Sequence, residues 1–260
     1  MFFLPLYDDN PTRRRPVVTW MLIAACVLVF MWQVSLPPLQ GRAVVFSFGV
    51  IPAVLFGNAE LPPELRAVPG WASVFSSMFM HGGFLHLGGN MLYLWIFGNN
   101  VEDSMGRGRF LLFYLLCGAA AAFAQAIADP ASRVPMIGAS GAIGGVLGGY
   151  LMLHPHANVR VLMWIIIIVR MINVPALVVL GVWFAGQVLS GAMTPVEEGQ
   201  GGVAFWAHVG GFVAGAALVP FFRRPGVPLF DRPHSRPFEV VPPPPLRRGS
   251  VPPSGGRNRP

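Results

Sequence analysis

The chain has 260 residues, of which 54% are hydrophobic and only 11% are charged, and its mean hydropathy is +0.58. Globular domains in water usually contain about 25% charged residues. This composition therefore excludes an ordinary soluble enzyme and predicts a protein whose solvent is largely lipid. The 18 basic residues are all arginines and give a net charge of +7. Because guanidinium groups are costly to bury in a bilayer, they should mark where the chain meets water.

Charge-free apolar stretches long enough to cross a bilayer, about 20 residues each, occur along most of the sequence. They predict six spans, at about 17–36, 83–101, 110–128, 136–153, 174–190 and 203–222. The fifth span is placed near Pro175, because the residue before a proline disfavours helix. Residues 161–169 are then expected to form an interfacial or short re-entrant piece. The predicted fold is an all-α polytopic membrane protein, a six-helix bundle over residues 17–222.

The arginines predict the orientation of these spans, because basic loops next to a span stay on the cytoplasmic side. With the N-terminus inside, most of the arginines near span ends face the cytoplasm: Arg13, Arg14, Arg15, Arg107, Arg109, Arg160, Arg223 and Arg224. The opposite loops hold only Arg42, Arg66 and Arg133. We therefore expect both termini to lie in the cytoplasm.

Three segments lie outside the predicted helices. Residues 1–16 form a cytoplasmic N-terminal segment. Residues 37–82 form a long outer loop, whose many prolines and apolar residues suggest partial embedding in the membrane. Residues 223–260 are rich in proline and arginine. Such a composition cannot bury enough apolar surface to offset chain entropy, so a disordered cytoplasmic tail is expected there.

Polar side chains inside predicted spans are costly and are usually tied to function. His81, His86 and Asn90 lie at the outer entrance to the second span, Ser140 near the outer end of the fourth, and His208 near the outer end of the sixth. The orientation derived from arginines alone therefore places all five at a similar depth below the outer surface.

Ser140 is a candidate nucleophile, because flanking glycines leave its hydroxyl accessible at a helix start, where free N–H groups favour an anion. Two ridges of small residues could bring a base to it, since each permits close helix approach. The ridges are Gly141, Gly145 and Gly149 in the fourth span, and Ala207, Gly211 and Gly215 in the sixth. If they face each other, Ser140 meets His208. The alternative is that this glycine-rich pattern, including Gly138, serves helix packing alone.

His86 and Asn90 are four residues apart, so on a helix they share one face. They could donate hydrogen bonds to an oxyanion, or they could be interfacial residues that satisfy the loop backbone. A metal site built from His81, His86 and His208 is disfavoured, because no carboxylate or HExxH pattern accompanies them. The glycine-rich stretch of the fourth span lacks the lysine of a nucleotide-binding loop. No metal, cofactor or nucleic acid partner is predicted.

Three motifs in this order resemble those of the rhomboid family of intramembrane serine proteases, in its bacterial six-helix form. They are HGGFLHLGGN at residues 81–90, GASG at 138–141 and AHVGG at 207–211, followed by Gly215. The resemblance covers most of residues 13–222. It implies that Ser140 is the nucleophile and His208 the general base, with His86, Asn90 and the Ser140 backbone N–H as the oxyanion hole.

The resemblance also implies a serine endopeptidase that cleaves transmembrane segments of other proteins, in a multi-pass location such as the bacterial cytoplasmic membrane. Two positions depart from the pattern of some members. Gly144 stands where an aromatic residue would stack on the catalytic histidine, and Ala72 follows Trp71 where an arginine is found. The alternatives are a rhomboid-like pseudoprotease that binds membrane clients and, from another class, a membrane transporter.

Overall fold

A computed structural model of the chain describes residues 2–165, 168–193, 204–233 and 235–239. These residues are mostly helical, with three strands and two short 3₁₀ turns, Pro63–Leu65 and Ser77–Phe79. The strands are β1 (Phe2–Asp8), β2 (Asn158–Ile165) and β3 (Ile168–Pro175). The helices are α1 (Val17–Ser35), α2 (Pro38–Phe48), α3 (Pro52–Leu55), α4 (Gly70–Ser76), α5 (Phe84–Met105), α6 (Arg107–Ala128), α7 (Ser140–Leu153), α8 (Ala176–Met193) and α9 (Phe205–Phe222).

A helix lies at each of the six predicted spans. Four of these helices, α1, α6, α8 and α9, have the length and apolar composition needed to cross a membrane. The other two differ in opposite ways. Helix α5 has 22 residues but ends in the polar sequence GNNVEDSM. Helix α7 is strongly apolar but has 14 residues, about 21 Å at 1.5 Å per residue, which is shorter than the hydrocarbon core.

Two helix boundaries differ by four residues from the sequence prediction, and a glycine with positive φ lies at or near each of them. Helix α5 continues to Met105 and stops at Gly106, whose φ is 86°. Helix α7 begins at Ser140 and not at 136, because residues 136–138 are not helical. Met136 pairs with Val50 in an isolated β-bridge, and Gly138 has a φ of 131°, a region that favours glycine.

The three strands form an antiparallel sheet in the order β1, β2, β3, with Asp8 opposite Val159 and Val159 opposite Val174. The sheet contains the region around residues 161–169 expected to be interfacial or re-entrant, and its first strand comes from the N-terminal segment. The sheet departs from the all-α prediction. Its second and third strands are rich in valine and isoleucine, whose branched side chains suit a pleated surface.

The described residues after α9 are hydrogen-bonded to the body of the protein. The Arg224 N–H donates to the Ser104 carbonyl, the Asp231 N–H to the Leu153 carbonyl, and the Phe238 N–H to the Asn173 carbonyl at 2.7 Å. The structure therefore differs here from the expected disordered tail. Residues 240–260 of that tail lie outside the described residues, as do residues 194–203.

Helix α7 lies at the centre of the bundle, with eleven of its 14 residues buried. Its glycines allow α9 to approach at backbone distance. A Cβ atom added to Gly211 would clash with the Gly141 carbonyl oxygen, and one added to Gly215 would clash with the Gly145 carbonyl oxygen. The two small-residue ridges therefore lie against each other.

The start of α1 is fixed by a side chain from another helix. Glu102 of α5 accepts hydrogen bonds from the Val18 N–H, the Thr19 N–H and Thr19 Oγ1, at 3.0, 2.8 and 2.8 Å. A carboxylate at a helix N-terminus satisfies free donors and interacts favourably with the helix dipole. This contact holds the first turn of α1 against the last turns of α5.

Candidate active site

Ser140 is the first residue of α7, directly after the positive-φ turn at Gly138. The N–H groups of a first helical turn have no partner within the helix, so they are available to an oxyanion beside the hydroxyl. The side chain is half-buried and lines a cavity of about 40 Å³ between α4, α6 and α7. A water needs roughly 10–15 Å³, so the cavity is large enough to hold water beside the hydroxyl.

His86 lies in the first turn of α5 and faces Gly138. The Gly82 N–H donates to His86 Nδ1 at 3.3 Å, which makes Nδ1 an acceptor and leaves the proton of a neutral ring on Nε2. A Cβ at Gly138 would lie 2.8 Å from His86 Nε2 and 3.6 Å from Ser140 Oγ. Glycine at this position therefore lets the His86 donor and the serine hydroxyl flank the same small space.

Asn90 lies one turn after His86 on α5 and is 7% exposed. Its Nδ2 atom is buried and has no hydrogen-bond partner among the described residues. An unpaired buried donor costs free energy unless something fills its site. The amide is thus a free donor on the helix that carries His86.

His208 lies in the first turns of α9, and its backbone packs against α7 one turn after Ser140. A Cβ at Gly144 would lie 2.9 Å from the His208 carbonyl oxygen. A side chain at position 144 would therefore crowd the His208 backbone, which explains why this chain has glycine there and not an aromatic residue. Across the described residues, no hydrogen bond joins Ser140 Oγ to the His208 ring.

The His208 ring has two partners on α8 that none of the sequence motifs indicates. Its Nδ1 lies 2.7 Å from Gln187 Oε1, and its ring centroid lies 5.8 Å from that of Trp183, with an angle of 34° between the planes. The sequence did carry a signal, since Gln187 is a polar residue inside a predicted span. Its partner depends on how α8 packs against α9, which no motif encodes.

His81 supports the turn into α5. Gln33 of α1 holds its backbone from both sides, accepting from the His81 N–H at 3.0 Å and donating to its carbonyl at 3.4 Å. The ring packs edge-on against His86, with centroids 5.2 Å apart. Burial lowers the pKa of His81 to about 4, so its ring is neutral near pH 7. In the part of the chain that the structure describes, no three metal-ligating side chains form a cluster.

The sequence is similar to that of several rhomboid proteins. Rhomboid protease GluP of Bacillus subtilis is 36% identical over 137 residues, which cover 53% of this chain and 24% of that protein. The putative rhomboid protease YdcA of the same organism is 30% identical over 147 residues, 56% of this chain and 66% of that protein. Rhomboid protein 1 of yeast mitochondria is 31% identical over 133 residues, 45% and 38% of the two chains. The chain thus spans less than two thirds of each of these relatives.

A family model for the rhomboid domain matches residues 69–225, more than half of the chain. The match contains α5 to α9 and with them Ser140, His208, His86 and Asn90. Together with four helices of membrane-spanning length and composition, it identifies an integral membrane protein. The chain belongs to the rhomboid family.

Proposed function

We propose that this chain is an intramembrane serine endopeptidase that cleaves transmembrane segments of other membrane proteins. The observation that carries the proposal is the position of Ser140. Its hydroxyl lies at the start of a buried helix, beside the Nε2 donor of His86 and on the level where α9 brings in His208. Two of the similar bacterial proteins are named as proteases or putative proteases, which supports this choice of chemistry.

In the proposed reaction His208 Nε2 takes the Ser140 proton as Oγ attacks the carbonyl carbon of the scissile peptide bond. The tetrahedral intermediate collapses, the C–N bond breaks, and the imidazolium gives its proton to the departing amine. A water in the cavity beside Ser140 then attacks the acyl ester, with His208 again acting as base, and releases the carboxylate and the free serine.

The negative oxygen of the intermediate is held by three donors: the Ser140 backbone N–H, the Asn90 amide and the His86 Nε2–H. A donor aimed at a developing oxyanion contributes about 3 kcal/mol to lowering the barrier. The buried, unpaired Asn90 Nδ2 supports this role. The hydrogen bond from Gly82 to His86 Nδ1 also supports it, because it leaves Nε2 protonated.

The proposal includes six membrane spans with both termini in the cytoplasm of a bacterial cell, substrates that reach the site from the surrounding lipid, and the cytoplasmic membrane as location. The contacts of Asp103 support this orientation. Its side chain accepts from the Arg13 N–H at 2.8 Å and pairs with Arg224 at 3.4 Å. The start of α1, the end of α5 and the end of α9 thus meet at one basic face.

Cleavage of a reporter membrane protein by the purified, reconstituted chain tests the proposal. Wild type is expected to release two fragments and Ser140→Ala none, because the nucleophile is gone. Ser35→Ala is the matched control, since Ser35 is an exposed serine at the end of α1. Equal cleavage by wild type and Ser140→Ala would refute the proposal.

The second candidate function is a pseudoprotease that binds membrane clients without cutting them. The lack of a hydrogen bond between Ser140 and His208 in the described structure is the observation that favours it. Catalytic hydrogen bonds often tighten only when substrate is bound. The missing hydrogen bond is therefore weaker evidence than the three hydrogen-bond donors near Ser140. Stable capture of the reporter by wild type, with no fragments over long incubation, would favour the pseudoprotease.

A further inference from the structure

The Gln187 amide makes a hydrogen bond within its own helix. Gln187 Nε2 donates to the Trp183 carbonyl oxygen, one turn earlier on α8, at 3.4 Å. The nitrogen of this amide is therefore engaged, and the oxygen is the atom presented to α9. An amide oxygen can accept hydrogen bonds but cannot donate them.

This orientation determines which nitrogen of His208 carries the proton. His208 Nδ1 lies 2.7 Å from Gln187 Oε1, so Nδ1 must be the donor in this hydrogen bond. In a neutral imidazole the second nitrogen is then an acceptor. His208 is therefore held as the tautomer whose Nε2 can take a proton from Ser140.

Trp183 restricts the ring from the side. Trp183 and Gln187 are four residues apart and share one face of α8, so one helix face supplies both a hydrogen bond and an aromatic contact to His208. Gly144 of α7 has no side chain that could hold the ring. Besides Ser140, the described polar residues near this end of α9 include His86 from α5 and Gln125 from α6, which accepts from the Ala207 N–H.

We infer that Gln187 is a positioning residue that holds His208 in the tautomer and orientation needed for general-base catalysis. The inference rests on the proposed protease function. The chain would then use a glutamine on α8 for the role that a carboxylate has in a serine–histidine–aspartate triad. An uncharged acceptor fixes the ring without adding a buried charge.

The pH dependence of cleavage by two variants of the full chain in liposomes tests this inference. Gln187→Leu removes the acceptor, so kcat should fall roughly ten- to hundredfold, as expected for a misplaced catalytic group, with little change in KM. Gln187→Glu keeps the size and the acceptor but adds a charge that favours the imidazolium. Its kcat at alkaline pH should stay near wild type, while the acid limb of its pH profile should move up by about one unit.

Leu189→Met, a change at an exposed position on the same helix, is the control and should match wild type. A kcat unchanged by Gln187→Leu would overturn the inference. Identical pH profiles for the Leu and Glu variants would also overturn it, because a merely structural role would not separate them. Ser140→Ala measured in parallel distinguishes the two failures. Cleavage by that variant refutes the protease proposal, whereas Ser140-dependent cleavage that is insensitive to Gln187 refutes this inference alone.

Discussion

The Nε2 atoms of His86 and His208 have opposite protonation states in these hydrogen-bonding arrangements. The Gly82 N–H donates to Nδ1 of His86, which leaves a proton on His86 Nε2. Gln187 accepts from Nδ1 of His208, which leaves a lone pair on His208 Nε2. The first ring is thus suited to stabilise an anion and the second to accept a proton. One hydrogen bond to each ring is sufficient to assign these two proposed roles.

Asp8 is a second residue whose neighbours change its chemistry, at the other end of α7. Its Oδ2 accepts from Tyr150 Oη at 2.6 Å and from Asn100 Nδ2 at 2.7 Å. Asp8 belongs to β1, outside the predicted spans. Burial raises the pKa of Asp8 from about 3.8 to about 7, although the Tyr150 hydrogen bond acts in the opposite direction.

Asp8→Asn should change how stability depends on pH. Because the pKa of Asp8 is higher in the folded chain than in the unfolded one, its stabilising contribution is complete below about pH 4 and lost as pH rises through 7. Wild type should lose on the order of 2 kcal/mol from this group between pH 5 and 8. The asparagine variant keeps an acceptor oxygen and should not show this loss.

Thermal unfolding of the two proteins between pH 5 and 8 measures the effect, with the exposed-site variant Glu64→Gln as control. The melting temperature of wild type and of the control should fall with pH more steeply than that of Asp8→Asn. Parallel curves for all three proteins would show that Asp8 is ionised at little cost in the folded state.

Individual residues differ in how far the sequence alone could assign them. Ser140, His86, Asn90 and His208 stand out as polar residues at one predicted depth. Gln187 also lies in a predicted span, but its role depends on a contact between α8 and α9. That contact joins side chains of two different helices, and no spacing in the sequence predicts which faces meet.

At the scale of elements, the contact between α7 and α9 brings the two halves of the proposed dyad to the same level. Gly215 faces the Gly145 carbonyl so closely that a Cβ atom would clash with it. Overpacking of this kind typically costs about 1–3 kcal/mol. Because His208 is on α9 and Ser140 on α7, any separation of these helices also separates the serine from its proposed base.

Gly215→Ala should therefore lower both the melting temperature and cleavage activity. Gly181→Ala is the matched control, because a Cβ at Gly181 on α8 meets nothing within 4 Å, and alanine favours helix over glycine by about 1 kcal/mol. The control should be as stable as wild type or more so. If thermal unfolding shows the same melting temperature for both variants, the close α7 and α9 packing is contradicted.

The β-sheet shows why some elements could not be predicted. A short run of valine and isoleucine fits a buried strand as well as a membrane-embedded piece, and periodicity alone does not separate them. The pairing partner of β2 on one side is β1, more than 140 residues earlier in the chain. The six helices, by contrast, follow from apolar length, which is a local property of the sequence.

At the scale of the whole molecule, a cluster of arginines near the ends of α5 and α9 lies at the opposite end of the helices from the proposed active site. Arg109 at the start of α6 donates to the Arg223 carbonyl after α9, and Arg224 contacts Asp103 at the end of α5. Ser140 is the first residue of α7 and Leu153 is the last. The Leu153 carbonyl accepts a hydrogen bond from the segment after α9, so Ser140 lies at the other end of the helix from that segment. In the proposed orientation the site then opens near the outer surface.

Cysteine labelling in intact cells tests this orientation. A membrane-impermeant maleimide should label Glu64→Cys, at an exposed position of the loop proposed to lie outside the cell, before the cells are permeabilised. Gly108→Cys, at the open start of α6, should react only afterwards. Wild type is the control, because Cys26 and Cys117 are both 0% exposed. The reverse pattern of labelling would contradict the proposed cytoplasmic location of both termini.

His208 is proposed to activate Ser140 as a nucleophile. The most direct test of this activation is mass spectrometry of the reconstituted chain after treatment with a fluorophosphonate, which forms a stable adduct with an activated serine. We expect the adduct on Ser140 in wild type and its near-complete loss in His208→Ala, because the base that removes the Ser140 proton is missing. A wild-type protein that cleaves membrane substrates without carrying an adduct on Ser140, or labelling of Ser140 that is undiminished in His208→Ala, would contradict the account.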